Sequence, residues 1–285
     1  CVNPKRIAIA GKIHVFMFDK TGTLTKQGLD FLGVRSIEGG KFANGKKQGK
    51  EVAGTKMGQA MATCHAVTKM DTSTGTIFVG NQVEVKMFES CGCNLVEEGG
   101  KAAVTKNKST GEELTIEKRF EFDHHTMTMS VLVRDSKGDV HIFCKGSPEA
   151  IAQLCDPSTI TADFEQTYKT DAMEGCYVIG MSTRSLGNID AKTVAHMERS
   201  EVEANGSLTC LGLMLFRNEL KEDTAGAIEE LREGDVRSVM VTGDNAQCGI
   251  YIAKAVGMIE TLDGASVTSV IYVLTLIHHA LFREE

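Results

Sequence analysis

The seven residues Asp19-Lys20-Thr21-Gly22-Thr23-Leu24-Thr25 gather a carboxylate, an ammonium group and three hydroxyls around one glycine. They follow Ile13-His14-Val15-Phe16-Met17-Phe18, a nearly continuous apolar run of the kind that a parallel sheet buries on both faces. A carboxylate is therefore expected at the end of a strand, ahead of a Thr/Gly turn whose N–H groups and hydroxyls can surround an anion. The C-terminal edge of an open α/β sheet is where such folds take their ligands. The chemistry that fits is attack of Asp19 on phosphorus to give an acyl phosphate. The plainer alternative is a turn-forming Asp with no reaction to perform.

Three further groups have fitting types and places. Val236–Thr242 reads as an apolar strand ending in Thr242-Gly243-Asp244, just before a helix that opens near Ala246. A hydroxyl and backbone amides there can hold a phosphoryl group, or the same residues only cap the helix. Lys145-Gly146-Ser147 ends a strand and precedes Pro148, a favoured first helical residue; a lone lysine in that place is more often solvated. Phe122, also on a strand, reads by residue type as one more core aromatic.

The elements that must position these groups fall into two textures. Residues 13–18, Glu222–Glu233, Val236–Thr242 and Ala246–Val256 alternate strand and helix, with Leu208–Phe216 as the strand before them, which is the order of a parallel sheet with right-handed crossovers. Between them, Ser36–Lys50 is rich in Gly and Lys and reads as an exposed loop. Gly54–Lys69 has apolar residues at a helical period, and Gly80–Ser90 reads as a second helix. Lys101–Lys106, Leu114–Phe122, Met127–Asp135 and Val140–Lys145 read as an antiparallel meander. Helices are expected over Pro148–Leu154, Ala162–Met173 and Ala191–Ala204, with a strand over Tyr177–Ser182. The expected fold is thus α/β, an incomplete parallel sheet interrupted by a large α+β insertion built on an antiparallel sheet.

Composition narrows the possibilities. The 285 residues suffice for two cores, and a formal net charge of -7 without a Lys/Arg-rich run argues against nucleic acid as a partner. The nine cysteines are odd in number and scattered, as expected of reduced thiols in a cytosolic setting. Cys91-Gly92-Cys93 has no second pair at ligand spacing and is not expected to bind metal. No stretch reaches the ~18 apolar residues of a membrane span.

DKTGTLT after an apolar strand resembles the phosphorylation motif of the P-type ATPases, and the TGD at 242–244 resembles their second phosphate-binding motif. Lys145-Gly146-Ser147-Pro148-Glu149 is similar to the family's KGAPE element, and Arg119-Phe120-Glu121-Phe122 with Met129-Ser130-Val131 to its adenine-binding segment. Ala62-Thr63-Cys64-His65, the run Gly80-Asn81-Gln82-Val83-Glu84-Val85-Lys86-Met87-Phe88, Gly28-Leu29-Asp30-Phe31, Asn218 and Lys221 resemble elements of the type-V subgroup, whose members are endomembrane transporters linked to polyamines or cations. The resemblance implies a haloacid-dehalogenase-like phosphorylation domain in two segments, 1–32 and 207–260, a nucleotide-binding domain over 33–206 and an atypical tail over 261–285. It implies ATP held by Phe122, Lys145 and Gly146, and Asp19 as the phosphoryl acceptor. Lys20 would stabilise charge, Thr21, Gly22, Thr242, Gly243 and Asp244 would surround phosphate, and Asp19 with the Thr21 carbonyl would ligate Mg2+. His65 has no ligand role in this reading.

Departures from the resemblance carry expectations too. Related soluble phosphatases place a second Asp where Thr21 stands, and lack of that proton carrier slows acyl-phosphate hydrolysis by about 10²–10⁴. Gly175-Cys176-Tyr177 stands where relatives carry an arginine, and Asp123-His124-His125-Thr126-Met127-Thr128 lacks the usual Lys, Arg or Gln, which should weaken ATP binding. The family's later lysine and GDGxND string do not follow Asp244. The chain is accordingly read as a cytosolic piece of a multi-pass membrane pump, whose membrane helices and actuator domain lie elsewhere and whose transported cation or polyamine binds there. The rival readings are a soluble haloacid-dehalogenase-like phosphatase and a nucleotide-binding fragment without catalysis.

Overall fold

A computed structural model describes residues 4, 7–73, 75–96, 103–242 and 246–259. The elements, in chain order, are α1 Ile7–Ala10, β1 Val15–Asp19, β2 Asp30–Glu38, β3 Lys41–Phe42, α2 Lys56–Thr63, β4 Thr68–Thr72, β5 Gly75–Val79, α3 Gln82–Cys91, β6 Cys93–Val96, β7 Ala103–Asn107, β8 Glu113–Asp123, β9 Thr128–Asp135, β10 Val140–Gly146, α4 Pro148–Leu154, α5 Phe164–Met173, β11 Tyr177–Gly187, α6 Ala191–His196, α7 Arg199–Val202, β12 Thr209–Arg217, α8 Thr224–Glu233, β13 Arg237–Val241 and α9 Ala246–Ala255. Among the described residues no helix is long and apolar enough to cross a membrane. The chain divides into two compact units, one of residues 1–28, 172–177 and 218–285, the other of residues 29–171 and 178–217.

The larger unit is a nine-stranded sheet in the order β3-β2-β12-β11-β10-β9-β8-β7-β6. The expected meander is present: β7 pairs antiparallel with β8, β8 with β9, and β9 with β10. Every residue of β10 is buried, because helices cover both faces of the sheet. On one face, Met129, Val131, Val133 and Phe143 pack with Met57, Met61, Met87 and Phe88 of α2 and α3. On the other, Leu132, Ile142 and Cys144 pack with Ile151, Phe164, Val194 and Val202 of α4 to α7. Alternation along β9 and β10 thus sends successive side chains into two different apolar layers, and an unbroken apolar run results.

The same principle corrects one expectation. Leu208–Phe216, taken for a strand of the parallel sheet, lies in the large sheet as β12 and pairs antiparallel with β2. A strand buried on both faces reads alike in either kind of sheet. Its partner β2 runs through the first residues of the supposed loop 36–50, with Val34 fully buried. Two helices are also shorter than their periodicity suggests. The helix of 54–69 stops at Thr63, and the chain then forms the β4–β5 hairpin, where Met70 pairs with Ile77. The helix expected over 191–204 is broken in two at Met197, because Lys118 Nζ donates to the carbonyls of Ala195 and Met197, both at 2.7 Å. Glu198 and Glu201 then form a capping box that starts α7.

The smaller unit holds the parallel pair β1–β13, in register from Val15↔Arg237 to Asp19↔Val241. Its core is Leu24, Ile228, Met240, Ile252 and Val256, with α8 and α9 contributing. The expectation that β1 is buried on both faces is not met. Val15, Phe16 and Met17 are exposed, because among the described residues β13 is the one strand that pairs with β1.

A buried charge cluster ties β2 to α5 in the larger unit. Asp171, with no exposed surface, accepts from Arg35 Nε at 2.7 Å and Nη2 at 2.8 Å, and Lys46 Nζ lies 3.6 Å away. Arg35→Met would remove the bidentate partner of this carboxylate and leave it with Lys46 at 3.6 Å, and we expect a loss of about 3 kcal/mol in stability. Urea unfolding of the two proteins measures it; a difference below about 1 kcal/mol would mean that Lys46 alone satisfies the carboxylate.

Candidate functional site

Asp19 ends β1 in extended conformation, φ −67° and ψ 142°, and is exposed. The following turn, Lys20–Leu24, closes through Thr25 N–H, which donates to the Lys20 carbonyl at 3.1 Å, and the Thr25 hydroxyl reaches the same oxygen at 3.2 Å. Gly22 sits at φ +81°, where a side chain is strained and where an added Cβ would come 3.1 Å from Gln27 Cγ. The turn therefore needs glycine at this position.

The turn is held from the segment that begins at Asn218. Lys20 is only 2% exposed, and its Nζ donates to Asn218 Oδ1 at 2.6 Å. The other end of the same amide donates from Nδ2 to the Gly28 carbonyl at 2.6 Å. Lys26 N–H donates to the Glu219 carbonyl at 2.7 Å, Thr25 and Leu220 form an antiparallel bridge, and the Thr224 hydroxyl donates to the Leu24 carbonyl at 2.8 Å. Parallel register sets Asp19 opposite Val241, so Thr242 leaves the same edge of the pair. Asp19, Thr21, Gly22 and Thr242 are thus gathered at one sheet edge. Gly243 and Asp244 lie outside the described residues, as does the tail from residue 260 onward.

The other candidates belong to the larger unit. Phe122 stands near the end of β8, 43% exposed, with its ring edge-on to His124 at 5.1 Å between centroids. The register runs from Asp123 to Thr128 and from Thr128 to Gly146. Phe122 and the Lys145-Gly146 pair are therefore level with each other on strands that flank β9, roughly 10 Å apart at two strand spacings. Gly146 approaches the turn between them so closely that an added Cβ would meet the Met127 carbonyl at 2.4 Å, and Ser147 N–H donates to that carbonyl at 3.1 Å.

Lys145 is not a solvated lysine. It is 6% exposed, and its Nζ donates to Glu84 Oε1 at 2.5 Å. The second Glu84 oxygen accepts from Ala66 N–H at 2.8 Å. Burial works to raise the Glu84 pKa, but the Lys145 charge and hydrogen bond and the Ala66 amide outweigh it and hold the carboxyl below its ordinary value. Glu84 stands in a motif singled out above, yet its pairing with Lys145 has no signal in sequence, since the two are 61 residues apart. The same holds for Asn218 and Lys20.

His65 lies beneath this pair. Its Nδ1 accepts from Val67 N–H at 3.2 Å, which leaves the proton on Nε2 to be donated to the Ala62 carbonyl at 2.8 Å. Both nitrogens are used within the fold. Cys91 and Cys93 are buried, and burial raises both thiol pKa values, that of Cys93 to about 11. Among the described residues no group of three or more His, Cys, Asp or Glu side chains could hold a metal.

Residues 53–223 match the family described as P-type ATPase, cytoplasmic domain N. Over 91% of its length the chain is 34% identical to "Probable cation-transporting ATPase 13A4" of Gallus gallus, covering 22% of that protein. It is 33% identical to "Polyamine-transporting ATPase 13A2" of Homo sapiens over 91% of the chain and 23% of the relative. To "Polyamine-transporting ATPase 13A3" of Mus musculus it is 30% identical over 92% of the chain and 24% of the relative. The chain therefore spans under a quarter of the length of these relatives.

Burial lowers the His65 pKa to about 4, against the smaller upward pull of its bond to Ala62. Unfolded, the ring titrates near 6.5 and takes up a proton that the folded state resists. Its stabilising contribution is full above about pH 6.5 and declines as pH falls toward 4, by up to about 3 kcal/mol. Unfolding free energies at pH 7.5 and pH 4.5 should differ by less in His65→Gln than in the parent protein, and an equal difference would contradict this account of the ring.

Proposed function

The chain belongs to the P-type ATPases, and from that membership we propose that it is the ATP-binding and phosphate-accepting portion of a type-V cation- or polyamine-transporting pump. The observation that carries the reading is the Asp19 turn: an exposed carboxylate at the C-terminal edge of a parallel pair, level with Val241 and one residue short of Thr242. Its glycine adopts a positive φ and its lysine is committed to Asn218. In this reading the first and last segments form the haloacid-dehalogenase-like phosphorylation domain. The nine-stranded unit binds the nucleotide; the chain enters it at Gly28–Leu29 and finally leaves it at Arg217–Asn218, with one short excursion over residues 172–177.

ATP binds the larger unit through Phe122, whose exposed ring offers a stacking face for adenine, and through Lys145 and Gly146. Asp19 attacks the γ-phosphorus, and the bond to the β,γ-bridging oxygen breaks, which leaves ADP and an aspartyl phosphate. Thr21 and Gly22, with Thr242, Gly243 and Asp244 after β13, surround the transferred group. Lys20 is buried on Asn218, so it acts by holding the turn in shape and adding positive potential beneath it. The Asp19 carboxylate and the Thr21 carbonyl are hard oxygen donors of the kind that Mg2+ prefers, and they would hold it; when bound, the ion neutralises charge on the phosphoryl oxygens.

Thr21 distinguishes this reading from that of a soluble phosphatase, since no carboxylate stands two residues after Asp19 to activate water. The membrane-spanning and actuator portions of the parent protein are the partners this reading requires, and the transported cation or polyamine binds in the former, at an endomembrane.

In the intact protein, ATP carrying a labelled γ-phosphate should give an acid-stable, hydroxylamine-labile phosphoenzyme. Asp19→Asn should abolish it while leaving the thermal unfolding temperature of the 285-residue chain within a few degrees of the parent. Labelling that survives in the variant would remove Asp19 from the role of acceptor.

A further inference from the structure

The turn that follows Phe122 is closed from within by two bonds to Asp123, whose Oδ1 accepts from His125 N–H at 2.8 Å and whose carbonyl accepts from Met127 N–H at 2.7 Å. Between Phe120 and Asp123 the pairing of β8 with β9 shifts register, and the strand resumes only at Asp123↔Thr128. The turn contains no glycine, and it forces Met127 to φ +56°, a left-handed conformation that a side chain adopts at a cost. Groups outside the hairpin brace it as well. Gly146 and Ser147 do so from the β10 side. The other support comes from α7, a helix of four residues that neither the resemblance nor the proposed function uses.

Arg199 extends from α7 to both neighbours of Phe122. Its Nη2 donates to the Glu121 carbonyl, and its Nη1 lies 3.9 Å from Asp123 Oδ2 and 3.4 Å from the Thr126 hydroxyl oxygen, to which it donates. The guanidinium carbon lies 5.7 Å from the centre of the Phe120 ring, within cation–π range. Glu203 completes the support. Its side chain is 5% exposed and 3.9 Å from Arg199, and its oxygens accept from the hydroxyls of Thr128 at 2.8 Å and Ser130 at 2.6 Å. Residues 121, 123, 126, 128 and 130 are thus all gripped by two side chains, one from α7 and one from the residue that caps its end, while Phe122 in their midst stays exposed.

We infer that Arg199, braced by Glu203, is a positioning residue that presents the Phe122 ring for stacking on the nucleotide base. The inference rests on the reading of Phe122 given above. Its physical content is preorganisation: a ring on a loose turn must be ordered at the moment of binding, whereas a ring on a clamped turn is ordered beforehand. Arginine suits the task because its planar fork can bond a carbonyl and a hydroxyl at once while its face lies on an aromatic ring. Lysine offers one compact ammonium group in place of the fork.

A double-mutant cycle on the 285-residue chain tests this, with ATP, ADP and AMP as probes and dissociation constants from calorimetry. Arg199→Gln should weaken all three by about the same factor, roughly 3- to 10-fold, and should have less than about a 2-fold effect when Phe122 is already alanine, because coupled residues do not act additively. Should Arg199→Gln not fold, Arg199→Lys takes its place in the cycle, since it keeps the charge and removes the fork. Losses that are equal in both backgrounds would overturn the inference, as would a loss confined to ATP and ADP, which would place the guanidinium at the phosphates. An unchanged affinity in Arg199→Gln alongside a weakened Phe122→Ala overturns the inference alone. If Phe122→Ala leaves every affinity unchanged, the base site itself is misassigned and the inference falls with it.

Discussion

An ammonium group that is 2% exposed cannot stand unpartnered, and Lys20 meets this constraint through Asn218, 198 residues away in sequence. The Asn218 side chain uses both ends of its amide, accepting from Lys20 and donating to the Gly28 carbonyl. The residue that follows Asp19 and the last residue before the larger unit are thereby fastened to the first residue after that unit. Closing so long a loop costs entropy that grows only slowly with its length. A few strong, buried hydrogen bonds at the clasp therefore suffice to close the chain around a large insertion without distorting the Asp19 turn. The adjoining bridge of Thr25 with Leu220 and the bond from Thr224 to Leu24 extend the same clasp.

The larger unit obeys a different logic. Its central strands are apolar on both sides because helices cover both faces of the sheet, so polar groups that remain inside must find partners there. Lys145 finds Glu84, and the Glu84 carboxylate finds the Ala66 amide. The pair sits under the end of β10, level with the exposed Phe122. A buried lysine anchored by its own carboxylate keeps a fixed position, and fixed charge near a nucleotide stabilises phosphate oxygens without reorganising. The Asp19 turn and the ends of β8 to β10 thus each rest on one buried cation bonded to a side chain distant in sequence.

What was legible in the sequence follows from this. Asp19, Lys145 and Thr242 could be placed at strand ends because each follows a run of strand-forming residues and precedes a turn or cap, and the antiparallel meander was visible in its turn signals. The sheet that receives β12 was not legible, since an apolar strand buried on both faces carries no mark of its neighbour. The break between α6 and α7 was hidden because its cause, Lys118, lies 77 residues upstream of Ala195. Of the β4–β5 hairpin, Thr68 and Lys69 fall within the expected helix, and the rest carries no strand signal because Met70, Ile77 and Val79 are exposed, which removes the usual contrast of apolar inside and polar outside. Glu84 and Asn218 stood within recognisable strings, but their roles depend on pairings across 61 and 198 residues that local pattern does not encode.

The central claim is that nucleotide binds where β8, β9 and β10 end, on the larger unit. Amide NMR spectra of the 285-residue chain, recorded during titration with ATP, test it most directly. The account predicts that the largest shifts cluster at residues 120–130, 145–147 and around Glu84, with saturating behaviour that gives one dissociation constant for all of them. Shifts that saturate elsewhere in the larger unit while these residues stay unperturbed would contradict it.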